Sequence, residues 1–277
     1  MTSKQADDHD GRPSQVGRWD RGLTRHVVEL LRPIVKIYHR SQVRGLERIP
    51  RGRCLLVGNH SGGLTTPDFA IFAVDYYGRF GYERPLYVLG HDSLFHGPAA
   101  ELLPHLGIIR ATPAHAAEAL ATETAVLVFP GGDREVYRPT PLENVIDFAG
   151  RTGYVETAVA AHAPIVPVVS IGGQETQMYL SRGTWLARAL KLDKLERRLL
   201  HTDILPVSFG FPFGLSVLIP VNMPLPSKIV SQVLEPIDVV AQWGPHPDIE
   251  KVDGRIRRVM QAELDRLARR RRLPIIG

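Results

Sequence analysis

Short apolar segments alternate with amphipathic ones along most of the chain. Four apolar runs bounded by Gly, Pro or polar residues are typical of β-strands, and they are Cys54–Val57, Tyr87–Leu89, Ala125–Phe129 and Ile165–Val169. Apolar residues at helical spacing lie between these runs, over Phe69–Tyr77, Ala114–Leu120 and Tyr154–Ala161. Strands that alternate with helices predict an α/β fold whose mixed, mainly parallel sheet is flanked by helices.

Amphipathic helices are also predicted on both sides of this region. An N-terminal helical element is indicated by apolar residues at helical spacing, namely Leu23, Val27, Leu30, Leu31, Ile34 and Tyr38. A C-terminal basic helix over 251–271 places Val252, Ile256, Val259 and Leu267 inward. Residues 1–20 lack the apolar segment of a signal peptide and predict a disordered polar tail. We therefore expect one domain over 21–277 with its core at 43–240.

Residues 204–227 carry no charged side chain over a length that could cross a bilayer. Five prolines would break a helix there, and they are Pro206, Pro212, Pro220, Pro224 and Pro226. The segment predicts short buried strands and turns, and it leaves open an apolar edge that touches lipid.

Composition limits the chemistry and the partners. The chain has 34 Lys and Arg against 29 Asp and Glu, a net charge of +5, which suits anionic membranes or phosphorylated substrates. The basic residues are scattered among acids without interleaved aromatics, so we expect no nucleic-acid partner. The single cysteine, Cys54, predicts a reducing compartment without disulfides, and the 11 histidines show no paired metal-ligand motif.

Candidate chemistry follows the predicted strands. His60, the Gly62–Gly63 pair and Asp68 come after the first run, and Gly131, Gly132, Arg134 and Glu135 come after the third. Gly172 follows the fourth run, and Arg110 follows the apolar pair at 108–109. The carboxyl ends of parallel strands line one crevice, so we expect these residues to share one cleft.

His60 and Asp68 predict acid–base chemistry. A neutral imidazole takes a hydroxyl proton when a carboxylate holds its other nitrogen. The alternative is that Asp68 only complements a helix dipole, because Thr66-Pro67-Asp68 is a typical helix start. A second alternative is an esterase with Ser61 as nucleophile, although Asn59 stands where the nucleophile elbow has glycine.

The blocks NHSGG…PD, FPGGDRE and PIVPVVSIGG, in this order, resemble the PlsC-like glycerolipid acyltransferases. The resemblance covers about residues 43–240 and is closer to the monoacylglycerol/diacylglycerol-acyltransferase-like branch. It implies that His60 is a general base, that Asp68 orients it, and that the block 131–135 binds the acceptor. The family places four residues between His and Asp, whereas seven intervene here, which leaves Thr65 or Thr66 as other supports for the imidazole.

The activity implied by the resemblance is O-acylation of a glycerolipid hydroxyl, with acyl-CoA as co-substrate and no other cofactor. Backbone N–H groups near Gly62–Gly63 or Gly131–Gly132 would bind the oxyanion. Gly172 is either part of the donor pocket or a strand-end turn. Arg134 is the candidate anion clamp and Arg110 a further substrate contact.

The acceptor is predicted from charge. Asp133 and Glu135 flank Arg134 and would offset its charge, which favours a monoacyl- or diacylglycerol over lysophosphatidic acid. A lysophospholipid acceptor and a non-catalytic lipid-binding protein remain the alternatives.

A membrane contact is predicted at 182–200, a basic amphipathic segment with a tryptophan. Its proposed contacts are Trp185, Arg188, Lys191 and Leu192. The alternative is an ordinary surface helix packed on the sheet. We expect a peripheral protein at the cytoplasmic face of an anionic membrane.

Overall fold

The structure is a computed structural model that describes residues 14–63, 67–96, 100–189, 204–217, 221–271 and 273. The described strands are β1 (Gln42–Arg44), β2 (Cys54–Gly58), β3 (Leu86–Gly90), β4 (Ile108–Arg110), β5 (Ala125–Val128), β6 (Ile165–Ile171), β7 (Met178–Ser181), β8 (Val207–Gly210), β9 (Gly214–Val217) and β10 (Val230–Val233). Seven of them form a large sheet in the order β1-β10-β6-β2-β5-β3-β4, and β7, β8 and β9 form a small antiparallel sheet.

The large sheet is mixed and mainly parallel, as predicted. Strands β6, β2, β5, β3 and β4 run parallel to one another, and β10 pairs with β6 in the antiparallel sense. The chain therefore has the predicted α/β fold. The apolar runs predicted four of the five parallel strands, namely β2, β3, β5 and β6. They did not predict β1, β4 or β10, because strands of three or four residues have little periodicity.

The described helices are α1 (Arg21–Pro33), α2 (Pro67–Phe80), α3 (Pro113–Ala121), α4 (Gly132–Val136), α5 (Gly153–Ala160), α6 (Thr184–Ala189), α7 (Val239–Trp243) and α8 (Ile249–Arg270). Helix α1 begins where the Asp20 carboxylate accepts a hydrogen bond from the Leu23 N–H group. It continues as a π-helical turn over Ile34–Tyr38. Helices α2 and α3 contain two of the predicted helical segments, and α5 contains the third except for Ala161, which follows its last residue.

The core has two layers, one on each face of the large sheet. Leu55 and Val57 of β2 point into the layer that includes α3, α5 and α8. Cys54 and Leu56 point into the opposite layer, which includes α1 and α2. Every residue of β2 is buried, because helices cover both faces of the sheet.

Both terminal helices bury a face slightly different from the predicted one. Helix α8 buries Met260, whereas Val259 is only half-buried. Helix α1 buries Thr24 and Val28 and leaves Leu30 exposed. The apolar stripe of α1 is therefore only partly the face that packs on the protein.

The predicted polar tail is too long at its C-terminal end. The Gln15 side chain accepts a hydrogen bond from the Arg110 N–H group, and the Gly17 N–H group donates to Tyr87 Oη. Trp19 packs against the core layer that includes α1 and α2. Residues 14–20 thus belong to the folded part, and residues 1–13 lie outside the described residues.

The uncharged region contains strands, as predicted, but they are not wholly buried. Strands β8 and β9 expose Phe209 and Leu215, and the turn between them exposes Phe211. Within the described ranges, every helix is too short or too polar to cross a bilayer.

Candidate active site

His60 lies on the loop that leaves the carboxyl end of β2. Its ring stacks on Phe129 at the end of the neighbouring strand β5, with a centroid distance of 4.4 Å and an interplanar angle of 18°. Gly58 permits this approach, because a Cβ atom there would lie 2.7 Å from the Phe129 ring. The His60 side chain is 15% exposed, so the imidazole lies at the surface of the cleft without being freely solvated.

Asp68 is brought to His60 across the longer spacing. It lies in the first turn of α2, buried, with Oδ2 at 3.2 Å from His60 Nδ1. The Ser61 N–H group donates to the same oxygen at 2.6 Å. Asp68 therefore does more than complement the dipole of α2, since its carboxylate contacts the imidazole and the adjacent loop. The alternative supports Thr65 and Thr66 lie outside the described residues.

Ser61 is not arranged as a nucleophile. It is buried, and its hydroxyl donates to the Asp68 carboxylate at 2.9 Å. A serine nucleophile needs a base to take its proton and an open approach for the substrate. The geometry therefore argues against the esterase alternative.

Glu135 occupies a different place from the one predicted. The sequence placed it among the substrate contacts, but it is fully buried behind the His60 loop. Its Oε2 accepts the His60 N–H group at 2.9 Å, and its Oε1 lies 2.9 Å from Arg138 Nη2. Burial raises the pKa of Glu135 to about 7, although the charge of Arg138 opposes that shift. The carboxylate positions the backbone of His60, so the prediction of a substrate contact is wrong for this residue.

Arg138, the buried partner of Glu135, is not among the residues that the sequence predicts for the site. Its side chain is almost fully buried and also donates to the Glu143 carbonyl at 2.8 Å. The available signal was the spacing of Glu135 and Arg138, which are three residues apart at the end of α4.

The Gly131–Gly132 turn is held by an arginine that the sequence analysis also missed. Arg151 Nη1 donates to the carbonyl oxygens of Pro130 and Gly131 at 3.0 and 2.9 Å. Gly132 has a φ of +50°, and its N–H group donates to the Phe129 carbonyl at 3.1 Å. The Gly132 N–H group is thus engaged within the turn, which does not support its predicted role at an oxyanion.

Arg134 is exposed, and the acids beside it have other partners. Asp133 pairs with Arg151 at 3.1 Å, and Glu135 pairs with Arg138. The predicted offset of the Arg134 charge is therefore wrong, because each flanking carboxylate is neutralised by another arginine. Arg134 keeps its charge at the carboxyl end of the large sheet.

Two glycine positions bring the small sheet onto the His60 loop. Gly62 and Gly63 have φ values of +85° and +63°. A Cβ atom on Gly63 would overlap the Tyr179 hydroxyl of β7. The Gly62–Gly63 turn therefore lies against the inner face of the small sheet. Its predicted part in an oxyanion site stays a prediction.

Gly172 lines a small cavity with Asn59 and Ser61 beside this cluster, whereas Arg110 lies apart from it. Gly172 has a φ of +100°, and a Cβ atom there would overlap the Lys228 carbonyl, as expected of a strand-end turn. Arg110 pairs with Asp92 and lies 4.8 Å from the Phe95 ring centroid. It is the last residue of β4, which lies three strands from β2 and so ~14 Å away at the usual strand spacing. The prediction that Arg110 shares the His60 cleft is wrong because β4 is the edge strand.

The other predicted contacts divide between described and undescribed residues. Trp185 and Arg188 are exposed on α6, whereas Lys191 and Leu192 lie outside the described residues. Within the described part of the chain, no three His, Cys, Asp or Glu side chains converge as a metal site requires.

Comparison with known proteins agrees with this geometry. The Acyltransferase family model matches residues 40–171, which include His60, Asp68 and the block around Arg134. A protein of Mycobacterium tuberculosis strain H37Rv, described as uncharacterized, is 30% identical over 90% of this chain and 67% of its own length. The chain belongs to the PlsC-like glycerolipid acyltransferase superfamily. It is an acyltransferase.

Two further relatives of this acyltransferase come from Mus musculus. One, named "DGAT1/2-independent enzyme synthesizing storage lipids", is 26% identical over 78% of this chain and 62% of its own length. The other, "Diacylglycerol O-acyltransferase 2-like protein 6", is 32% identical over 47% of this chain and 38% of its own length. The crystal structure of the 1-acyl-sn-glycerophosphate acyltransferase PlsC from Thermotoga maritima shares the fold, with a TM-score of 0.53, 16% identity, and coverage of 90% of this chain and 83% of that one.

Proposed function

We propose that this acyltransferase moves an acyl group from acyl-CoA to a free hydroxyl of a glycerolipid at a membrane surface, with His60 as general base. The observation that carries the proposal is the contact of 3.2 Å between His60 Nδ1 and Asp68 Oδ2. A carboxylate at Nδ1 holds the proton there and leaves Nε2 as the basic nitrogen of a neutral ring. The backbone contact to Glu135 and the stacking on Phe129 fix the orientation of that ring.

The reaction proceeds in one transfer without an acyl-enzyme. His60 Nε2 takes the proton of the acceptor hydroxyl as its oxygen attacks the thioester carbonyl. The C–S bond then breaks, the CoA thiolate leaves with a proton from the imidazolium, and the ester is released. General-base assistance of this kind contributes ~10²–10⁴-fold to the rate. Backbone N–H groups of the Gly62–Gly63 turn are our candidates for binding the oxyanion.

The proposed acceptor is a neutral glyceride. Its support is the names of the mouse relatives, one of which refers to the synthesis of storage lipids and the other to diacylglycerol acylation. With such an acceptor, the exposed Arg134 is left to bind a phosphate of CoA, since a guanidinium binds phosphate oxygens in pairs.

Arg134 also favours a second candidate, a lysophosphatidic acid acceptor. Its flanking acids are paired elsewhere, so a phosphate on the acceptor would meet an unopposed positive charge. The kcat/KM ratio for monoacylglycerol and lysophosphatidic acid, presented in matched vesicles, decides between the two. We expect the ratio to favour monoacylglycerol.

The test of the activity is incubation of purified protein with labelled acyl-CoA and a panel of acceptors, followed by mass spectrometry. His60→Ala should lower the rate by ~10²–10⁴-fold while the thermal midpoint stays nearly constant, because His60 lies on a loop. Asp68→Asn should give an intermediate rate by weakening the hold on Nδ1.

Ser61→Ala is the matched control one residue away. It should keep most of the activity, because the hydroxyl supports Asp68 and does not attack the substrate. An essential Ser61 with a trapped acyl-enzyme would contradict the transferase mechanism and favour an esterase.

A further inference from the structure

The small sheet has its polarity reversed with respect to ordinary soluble sheets. In one cross-strand row, Tyr179, Ser208 and Ser216 point inward, and all three are buried. In the neighbouring row, Met178, Phe209 and Leu215 point outward and are about half exposed. Sheets with one solvated face usually place polar residues outward and apolar residues inward.

The inward face is a hydrogen-bonded polar network. The Ser208 and Ser216 hydroxyls lie 3.0 Å apart, and Asn222 Nδ2 donates to Ser216 Oγ at 3.0 Å. Gln177 Nε2 donates to the Asn222 carbonyl and Gln177 Oε1 accepts from the Tyr179 hydroxyl. The polar side chains therefore have partners inside the protein, and the exposure of the apolar row is not an accident of an incompletely formed strand.

The exposed apolar surface extends beyond the three strands. The turn between β8 and β9 adds Phe211, which is 73% exposed, and Phe213. The Met223 N–H group donates to the Phe211 carbonyl at 2.8 Å, which joins the following segment to that turn. The Tyr38 hydroxyl donates to the Pro224 carbonyl at 2.6 Å, which joins the π-helical turn with its exposed Ile34 and Ile37. We name this continuous surface the apolar face, and its members are Ile34, Ile37, Met178, Leu180, Phe209, Phe211, Phe213, Leu215, Val217, Met223 and Leu225.

The segments that build the apolar face carry charge of a single sign. The described segments are 34–40, 178–189, 207–217 and 221–228. They contain no Asp or Glu, and their charged residues are Lys36, Arg40, Arg182, Arg188 and Lys228, of which Lys36 and Arg182 pair with Asp75 and Asp147 of other segments. An apolar surface with exposed aromatics and a basic margin is complementary to an anionic bilayer, which takes apolar groups between its headgroups and attracts the basic ones.

The apolar face also lies directly behind the candidate active site. Tyr179, on the inner side of β7, is in contact with Gly63, three residues after His60. Arg182 at the end of β7 donates to the Arg134 carbonyl at 3.0 Å. A membrane bound to the outer side would thus lie one strand layer away from both elements.

We propose that the apolar face docks the protein on an anionic lipid bilayer, with the β8–β9 turn inserted among the headgroups. The proposal deepens the proposed function, on which it rests for the reason why the protein meets lipid. It assigns the principal membrane contact to the small sheet, whereas the sequence assigned it to 182–200.

The first test is co-sedimentation of the full chain with vesicles of phosphatidylcholine and phosphatidylglycerol. Phe211→Ser combined with Leu215→Ser should lower the partition coefficient ~10-fold for each side chain. The matched control combines Leu102→Ser and Trp243→Ser, which change two exposed apolar residues outside the apolar face and should bind as the wild type does. Equal binding by both double variants would overturn the proposal. Thermal unfolding checks that each variant is folded.

A second measurement locates the contact without weakening it. The fluorescence that Phe211→Trp adds to that of the wild type should be quenched by vesicles whose acyl chains carry bromine. The fluorescence that Leu102→Trp adds should not be quenched. Vesicle binding without quenching at position 211 would overturn the docking geometry.

Self-association is the competing occupant of the apolar face. Sedimentation velocity without lipid should show a monomer. A dimer that the Phe211→Ser, Leu215→Ser variant abolishes would assign the face to a second copy of the chain and overturn the proposal.

Failure of docking and failure of the proposed function give different results. Acyl transfer to a short-chain, water-soluble monoacylglycerol is measured without vesicles. A wild type that binds vesicles but transfers no acyl group would contradict the function and leave the docking surface intact. One that transfers acyl groups but does not bind vesicles would contradict the docking surface alone.

Discussion

The two sheets of this acyltransferase differ in whether their apolar residues are buried or exposed. On β2 of the large sheet every residue is buried, because helices pack on both faces. On β8 of the small sheet the serine is buried and the phenylalanine is exposed. Two buried carboxyl groups lie at the carboxyl end of the large sheet, Asp68 on α2 and Glu135 on α4, whereas the outer face of the small sheet has no charged residue. A strand's own sequence therefore does not decide which of its faces is covered.

Among these predictions, substitution of the buried Glu135 should cause the largest loss of unfolding free energy. Glu135→Ala removes the buried carboxyl group, and it leaves a cavity and takes away the partner of Arg138 and of the His60 N–H group, which costs about 3–5 kcal/mol of unfolding free energy. Urea denaturation measures this loss. Glu235→Ala is the control, because Glu235 forms an exposed pair with Arg48 and its change should cost less than ~1 kcal/mol. Equal effects would mean that the Glu135–Arg138 pair is not buried as described.

The same carboxylate predicts a pH dependence. Burial raises the pKa of Glu135 from 4.5 to about 7, so between these values the folded chain holds a proton that the unfolded chain has released. The free energy of unfolding contributed by this group therefore falls as the pH rises through that window. Glu135→Gln removes the titration, and its thermal midpoint should change less with pH than that of the wild type. An equal pH dependence of the thermal midpoint in the variant and the wild type would contradict the raised pKa of Glu135.

Two leucines test the opposite burial of the sheets directly. Leu56 of β2 is fully buried, and Leu215 of β9 is 64% exposed. Leu56→Ala should cost about 2–5 kcal/mol of unfolding free energy because it leaves a cavity. Leu215→Ala should change it by no more than about 0.5 kcal/mol. A large loss at Leu215 in the absence of lipid would show that another part of the protein covers the apolar face.

Substitution of Arg134 tests whether this exposed charge near the end of the large sheet binds a phosphate. Under the proposed function, Arg134→Ala should raise the KM for acyl-CoA by about tenfold with little change in kcat, as expected for loss of a charge-assisted hydrogen bond. Arg258→Ala, an exposed arginine on α8, is the matched control. A rise confined to the KM of a lysophosphatidic acid acceptor would instead place the acceptor phosphate at Arg134.

Alkylation of cysteine compares a buried position of the large sheet with an exposed position of the small sheet. Cys54 is fully buried at the start of β2, and burial raises the pKa of its thiol to about 12. It should resist alkylation in the native protein and react only after unfolding. Leu215→Cys places a thiol on the exposed side of β9, where labelling should be rapid. Mass spectrometry after brief alkylation compares the two positions.

The sequence alone determined those features that depend on neighbouring residues. Four of the five parallel strands follow from apolar runs, and helices α2, α3, α5 and α8 follow from apolar periodicity, which each segment carries in itself. His60 and Asp68 are also a local prediction, since a strand end, a glycine turn and a helix start follow one another within a few residues. Gly62 and Gly63, both with positive φ, lie in the loop that brings the two side chains into contact.

The tertiary structure decided the features that join distant parts of the chain. Glu135 reaches the His60 backbone across 75 residues, and Arg151 reaches the Pro130 carbonyl from a separate segment. The strand order moved Arg110 to the sheet edge, away from His60. In the small sheet, alternation marked two faces but not which of them would be inside. That choice depends on what packs against each face, because burial is a property of the whole fold and not of one strand's pattern.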